Sequence, residues 1–163
     1  MQPISAAGIL IGVLCGLWTF VMGVTGWYKD PSHLAPFFVV VLIEVAGLIW
    51  GLRQTVAQGR TYSGQVVAGT LMSIIAGVII VGASLIFTTV AFPEYAREIE
   101  AVNRRVLQQQ GKTEPAIDAE IAAWSAAQTP LRQAMNGFLG TFVTGVVVSA
   151  VVAVWVRAKP VTV

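Results

Sequence analysis

FFVVVLIEVAGLIWGL, Phe37–Leu52, decides the fold, because a run this apolar carries a single charged side chain, Glu44, near its centre. A helix that crosses a bilayer needs about 20 predominantly apolar residues at about 1.5 Å each. The run reaches that length from Leu34 to Leu52, and Glu44 lies about 15 Å by helical rise from where it begins. The carboxyl group is therefore expected near the bilayer midplane.

Composition agrees with a membrane setting. The chain has 163 residues, of which 56% are hydrophobic and 11% charged, against roughly 25% charged in ordinary soluble domains. Three further segments qualify as spans, about 6–28, 66–92 and 136–156, and none of the four contains Lys or Arg. The expectation is an all-α integral membrane four-helix bundle, one membrane domain over 1–163, with an extramembrane amphipathic helical hairpin within 93–135, between the third and fourth spans. The first run has no Lys or Arg before it and exceeds a normal leader h-region of roughly 7–15 residues. It is expected to be a retained span.

Four spans put both termini on one face with the loop RQTVAQGRTYSGQ. That face holds Arg53, Arg60, Arg157 and Lys159 and no acid. The other holds Lys29, Arg97, Arg104, Arg105, Lys112 and Arg132 together with seven acids. Orientation follows Lys and Arg close to the spans, and their density predicts cytoplasmic termini. Trp27, Tyr28, Phe37, Phe38, Phe92 and Tyr95 mark one interfacial level, and Trp50, Tyr62 and Trp155 the other.

Lipid supplies no hydrophobic drive between helices, so spans associate through close backbone approach and interhelical hydrogen bonds. Each span has a row of small residues at four-residue spacing: Gly8, Gly12 and Gly16; Gly47 and Gly51; Gly69, Ser73 and Gly77; Gly137, Thr141, Gly145, Ser149 and Ala153. Glycine is common in membrane helices generally, but four rows in four spans predict helix packing, within one subunit or between subunits.

After Pro93, the positions Tyr95, Ile99, Val102 and Val106 form an amphipathic stripe. Gly111 marks a helix end, Thr113 an N-cap and Pro115 a first-turn residue, and the period resumes with Ile117, Ile121 and Trp124 until Pro130. The hairpin reads either as a lid on the bundle or membrane surface, or as a docking surface for a membrane-protein partner. Arg97, Arg104, Arg105 and Trp124 are the candidate docking residues.

An ionised Glu44 facing lipid would be costly, so it is expected to face the bundle interior. The polar groups at similar depth are Thr19 and Cys15, Thr70 and Ser73, and Thr144 with Ser149. A hydroxyl or backbone carbonyl accepting a proton from the neutral acid makes Glu44 structural glue. The alternative for an intramembrane acid is proton or ion passage, or a ligand site, although a single acid without broken-helix repeats draws no pathway.

No nucleophile elbow, phosphate loop or HExxH pattern is present, and Cys15 lies deep in a span while His33 lies in the loop after it. The expectation is no enzyme activity. With one His and one Cys, the usual zinc ligand sets cannot be assembled, so no metal and no cofactor are expected. No basic cluster interleaved with aromatics suits nucleic acid. The expected partners are the lipid bilayer and either another membrane-protein subunit or further copies of this chain.

From Gly51 onward the chain resembles domain-of-unknown-function family 4199, small four-span bacterial membrane proteins. The likeness rests on GLRQTVAQGRTYSGQ, AFPEYAREIE, GKTEPAIDAEI and, most of all, GFLGTFVTGVVVSAVVAVWVRAKP. It implies four helices, a charged helical loop before the last and a bacterial cytoplasmic (inner) membrane, and it implies no activity.

Overall fold

The computed structural model describes residues 2–30 and 35–157, the side chains of residues 35–37 excepted. His33, Lys159 and the Phe37 side chain lie outside the described residues. The described chain is all-α: α1 (Pro3–Thr25), α2 (Ala35–Thr55), α3 (Tyr62–Ile86), α4 (Tyr95–Gln109), α5 (Glu114–Ala127) and α6 (Pro130–Val152). Among the described residues, four helical stretches are long and apolar enough to cross a membrane: Pro3–Thr25, Phe38–Gln58, Tyr62–Ala91 and Pro130–Val152.

Local chemistry sets the helix ends, and it moves several of them from where hydropathy alone places the spans. Gly26 takes the left-handed conformation, φ 68°, which ends α1 before Tyr28 because such a φ is costly for residues with a Cβ. Trp27–Lys29 then forms a 3-10 turn. Thr61 accepts a hydrogen bond from the Gly64 amide at 3.4 Å, so α3 starts at Tyr62, ahead of the purely apolar run. Thr129 likewise accepts from the Arg132 amide at 3.2 Å. Pro130 therefore opens α6, a position where its missing N–H costs nothing.

The far end of α3 widens into a π turn, Phe87–Ala91, closed by the Phe92 amide donating to the Phe87 carbonyl at 2.8 Å.

Helix α3 is the hub. On one side α1 runs parallel to it, with Gly8 against Met72 and Ile75, Gly12 against Ala76 and Ile79, and Gly16 against Ala83. A Cβ on Gly12 would lie 2.8 Å from that of Ile79, so the closeness of the two backbones depends on glycine. On the other side α6 runs antiparallel to α3: Ser149 lies over Gly69, Ser73 over Gly145, and the Phe138 ring over Gly77. Gly137 is looser, with only Ile80 nearby. Helix α2 leans on α1 and α6, seating Ile11 on Gly47 and Ala7 on Gly51. Leu42, Val78, Val90 and Val143 point outward, as residues facing acyl chains do.

The loop between α3 and α6 is a helical hairpin. Gly111, φ 75°, turns the chain, and Val102, Ile117 and Ile121 are buried where the two apolar stripes meet. Thr113 stands at the N-cap of α5, but its side chain makes no capping bond. Helix α4 rests on the Trp27–Lys29 turn.

The aromatic levels need one correction. Trp27, Phe38, Trp50, Tyr62 and Trp155 are exposed, but Tyr28 is only 5% exposed. Its ring meets that of Tyr95 at 4.9 Å between centroids, tilted by 55°, and Tyr95 meets Phe87 edge-on at 5.2 Å. Folding α4 back over the end of α1 draws these rings into contact and away from a headgroup-facing position.

Candidate functional site: a buried polar seam around Glu44

Four positions on α3, Gln65, Gly69, Ser73 and Gly77, recur every fourth residue and so share one face. All four are buried. Facing them on α6 are Ser149, Gly145 and Thr141, also buried. Because the helices are antiparallel and both carry Gly-x-x-x-Ser, each serine sits on the other helix's glycine. Glu44 enters this seam from α2. It is 3% exposed, and its Oε1 lies 3.6 Å from where a Cβ on Gly145 would be. Glycine at 145 thus makes room for Ser73, with the acid in van der Waals range of the same spot.

The hydrogen bonds of the seam are incomplete within the described residues. Ser73 Oγ donates to the Gly69 carbonyl at 3.1 Å. At the end nearest the termini, Thr55 Oγ1 lies 2.6 Å from Gln65 Oε1 and 2.8 Å from the Leu52 carbonyl, with one proton to share. Glu44 Oε1, Ser149 Oγ and Gln65 Nε2 are buried and have no hydrogen-bond partner among the described residues. Buried polar atoms are normally paired, so three unpaired ones along one seam set it apart from ordinary helix packing.

The expected hydroxyl partners of Glu44 are not bonded to it. Thr19 donates to the Cys15 carbonyl at 3.1 Å and Thr70 to that of Val66 at 2.9 Å, and Cys15 Sγ approaches the Val40 carbonyl at 3.8 Å. Thr144 is half-buried beside Gly145. For Thr19, Thr70 and Ser73 the physical reason is local: a helical Ser or Thr readily bonds back to the carbonyl four residues earlier. The expected hydrogen-bond acceptor for Glu44 is therefore missing from these hydroxyls.

The hairpin residues divide in two. Arg104 joins the two hairpin helices, pairing with Asp118 at 2.7 Å and Glu114 at 3.5 Å. It therefore does not present an open charge, and the bond to Asp118 stabilises its protonated form. Arg97 pairs with Glu94, the N-cap residue of its own helix, at 2.6 Å. Arg105 has no ion pair among the described residues, and lines a depression with Lys29, Val102 and Gln109. Trp124 lines a groove of about 270 Å³ between α4 and α5, with Asn103, Leu107 and Glu120.

Glu98 latches the hairpin to the bundle. It accepts hydrogen bonds from Lys29 at 2.8 Å and from the Tyr28 hydroxyl. The bond from Lys29, with that from Tyr28, holds the Glu98 carboxyl below its ordinary range. Burial, with the bond to Glu98, pushes the Tyr28 phenol well above its own.

Sequence reading missed this latch, whose partners are some seventy positions apart with no linking pattern. It also missed the Thr55–Gln65 pair, although Gln65 continues the row of Gly69 and Ser73 by one more four-residue step.

No curated protein and no solved structure matches the chain. One family model does, over residues 7–158, so the likeness extends well beyond the part from Gly51 onward and takes in the first two spans. This chain belongs to the family described as Protein of unknown function (DUF4199).

Proposed function

We propose that this chain is a non-enzymatic multi-pass membrane protein that serves as a structural or accessory subunit of a membrane assembly. It would sit in a bacterial cytoplasmic membrane with its termini in the cytoplasm and offer the α4–α5 hairpin to a partner subunit. The observation that carries this reading is how the hairpin is held. Helix α4 is latched through Glu98 and α5 packs on α4, which leaves on the hairpin surface the Trp124 groove and Arg105, a residue with no ion pair among the described residues. Trp and Arg are residue types that interface anchors favour, and Arg105 suits a partner with an acidic group at the contact.

The test is gentle extraction of the full chain at native expression, with identification of what co-purifies. The reading expects a stoichiometric membrane-protein partner that is lost from Trp124→Ala and Arg105→Glu variants while the bundle stays folded. Recovery of the chain alone, or a partner indifferent to both substitutions, contradicts it.

A second reading, a small transporter or proton- or ion-conducting protein, draws on the unpaired Oε1 of Glu44 and the polar seam around it. Purified protein in proteoliposomes distinguishes the two. Flux that Glu44→Gln abolishes in a folded protein supports the second reading; no flux in either protein leaves the first.

A further inference from the structure

Away from the seam, at the hairpin end of the bundle, a cavity of about 100 Å³ is lined by Trp18, Thr19, Met22, Tyr28, Val40, Phe87 and Tyr95. A second of about 200 Å³ shares Thr19, Phe87 and Tyr95 with it and adds Ser84, Thr88 and Gln133. The first is walled mainly by rings and aliphatic groups, the second mainly by hydroxyl and amide groups, so together they form an apolar chamber opening to a polar vestibule. They meet where α3 gives way to the π turn, and such turns occur often at functional sites. From this geometry we propose that the paired cavities bind a small neutral molecule with one aromatic ring and a hydrogen-bond donor at its edge, a monocyclic phenol.

Size limits the ligand to one ring. An apolar cavity of about 150 Å³ holds benzene, more than the about 100 Å³ of the smaller chamber, so a single ring spans the junction, with its apolar edge in the chamber and its polar edge in the vestibule. The phenol class follows from the hydrogen-bonding groups of the lining. The Thr19 hydroxyl donates to Cys15, that of Thr88 lies 2.9 Å from the Ser84 carbonyl, and that of Tyr28 donates to Glu98. Each keeps an oxygen able to accept, while the lining residues Ser84, Tyr95 and Gln133 carry donors, so the site suits a polar edge that both donates and accepts, as a phenol hydroxyl does.

Neutrality follows from the lining, in which none of the described residues is Asp, Glu, Lys or Arg. The nearby carboxylate, Glu98, is already engaged by Lys29 and Tyr28. The proposal is independent of any role for the hairpin flank or for Glu44.

Fluorine NMR on the full chain in lipid nanodiscs tests it, with para-fluorophenol, fluorobenzene and para-fluorobenzoate as probes and protein-free nanodiscs as the reference for partitioning. Para-fluorophenol should bind saturably, about fivefold more tightly than fluorobenzene, the difference one ordinary hydrogen bond makes, and para-fluorobenzoate should bind more weakly than either. Thr19→Val, which keeps the shape and removes the acceptor, should weaken para-fluorophenol about fivefold and leave fluorobenzene unchanged. Val40→Phe, which fills the chamber, should abolish binding of both. A fluorophenol signal that does not saturate beyond empty nanodiscs overturns the proposal, as does one indifferent to Thr19→Val or a benzoate that binds as well as the phenol. Thr19→Val decides the matter even if Val40→Phe does not fold.

Discussion

Ser149 of α6 lies directly on Gly69 of α3, so close that a Cβ on the glycine would overlap the serine hydroxyl. One turn along, Ser73 and Gly145 repeat the contact with the roles of the helices exchanged. Two copies of Gly-x-x-x-Ser in antiparallel helices can interlock this way because the four-residue spacing matches on both sides. The interlock brings the backbones together, and Glu44 reaches the same spot, its Oε1 3.6 Å from where a Cβ on Gly145 would be.

Glu44 costs stability in this setting, because one of its oxygens is buried without a partner among the described residues. Such a group costs about 1–3 kcal/mol. Glu44→Leu is therefore expected to match or exceed the parent in thermal unfolding in detergent, with Glu44→Gln close to the parent and Glu44→Lys unfolded. A Leu variant destabilised by more than about 2 kcal/mol would mean that the acid is held by bonds the seam does not reveal.

Acid should release the hairpin. The folded-state carboxyl of Glu98 is shifted down, mainly by Lys29, so its contribution to docking is complete above the ordinary carboxylate range and fades as pH falls through the lower folded value. Near-ultraviolet circular dichroism of the Tyr28–Tyr95 pair should hold steady from neutral to mildly acidic pH and collapse below. In Glu98→Gln that pH step should be absent. A step unchanged in the variant would assign it to another group.

Within the hairpin, apolar burial should outweigh the ion pairs. Arg104 is partly exposed and its acid partners more so, and such pairs are worth about 0–1 kcal/mol. Ile117 is fully buried, and truncating a buried Ile typically costs about 2–5 kcal/mol. Hydrogen exchange should show α5 amides losing protection in Ile117→Ala and hardly changing in Arg104→Ala. The reverse order would make charge, not packing, the hairpin's clasp.

Much of this was legible in the residues. The four apolar runs, the rows of small residues and the hairpin stripes follow from periodicity alone, and Glu44 could be placed on the interior because lipid excludes it. Periodicity does not say which row meets which. Nothing in Gly8, Gly12 and Gly16 says that they lie parallel to α3, or that Gly69 and Gly145 receive serines. Helix ends drifted from the hydropathy limits because Thr61, Thr129 and Gly26 act through capping and backbone geometry, which a hydropathy window does not see. The Tyr28–Glu98 latch and the π turn at Phe87 arise from tertiary contact, so no local pattern announces them.

The interlock of α3 and α6 is tested most directly by a double-mutant cycle at Gly69 and Ser149, read by reversible unfolding in mixed micelles. Gly69→Ala alone should cost about 1–3 kcal/mol, the range for overpacking a close contact. With Ser149→Gly in place the same substitution should cost little, since the added methyl then enters the space the serine left, giving a coupling of about 1–2 kcal/mol. Additive effects of the two changes would contradict the account, for they would show that these residues do not touch and that α3 and α6 are not packed through this seam.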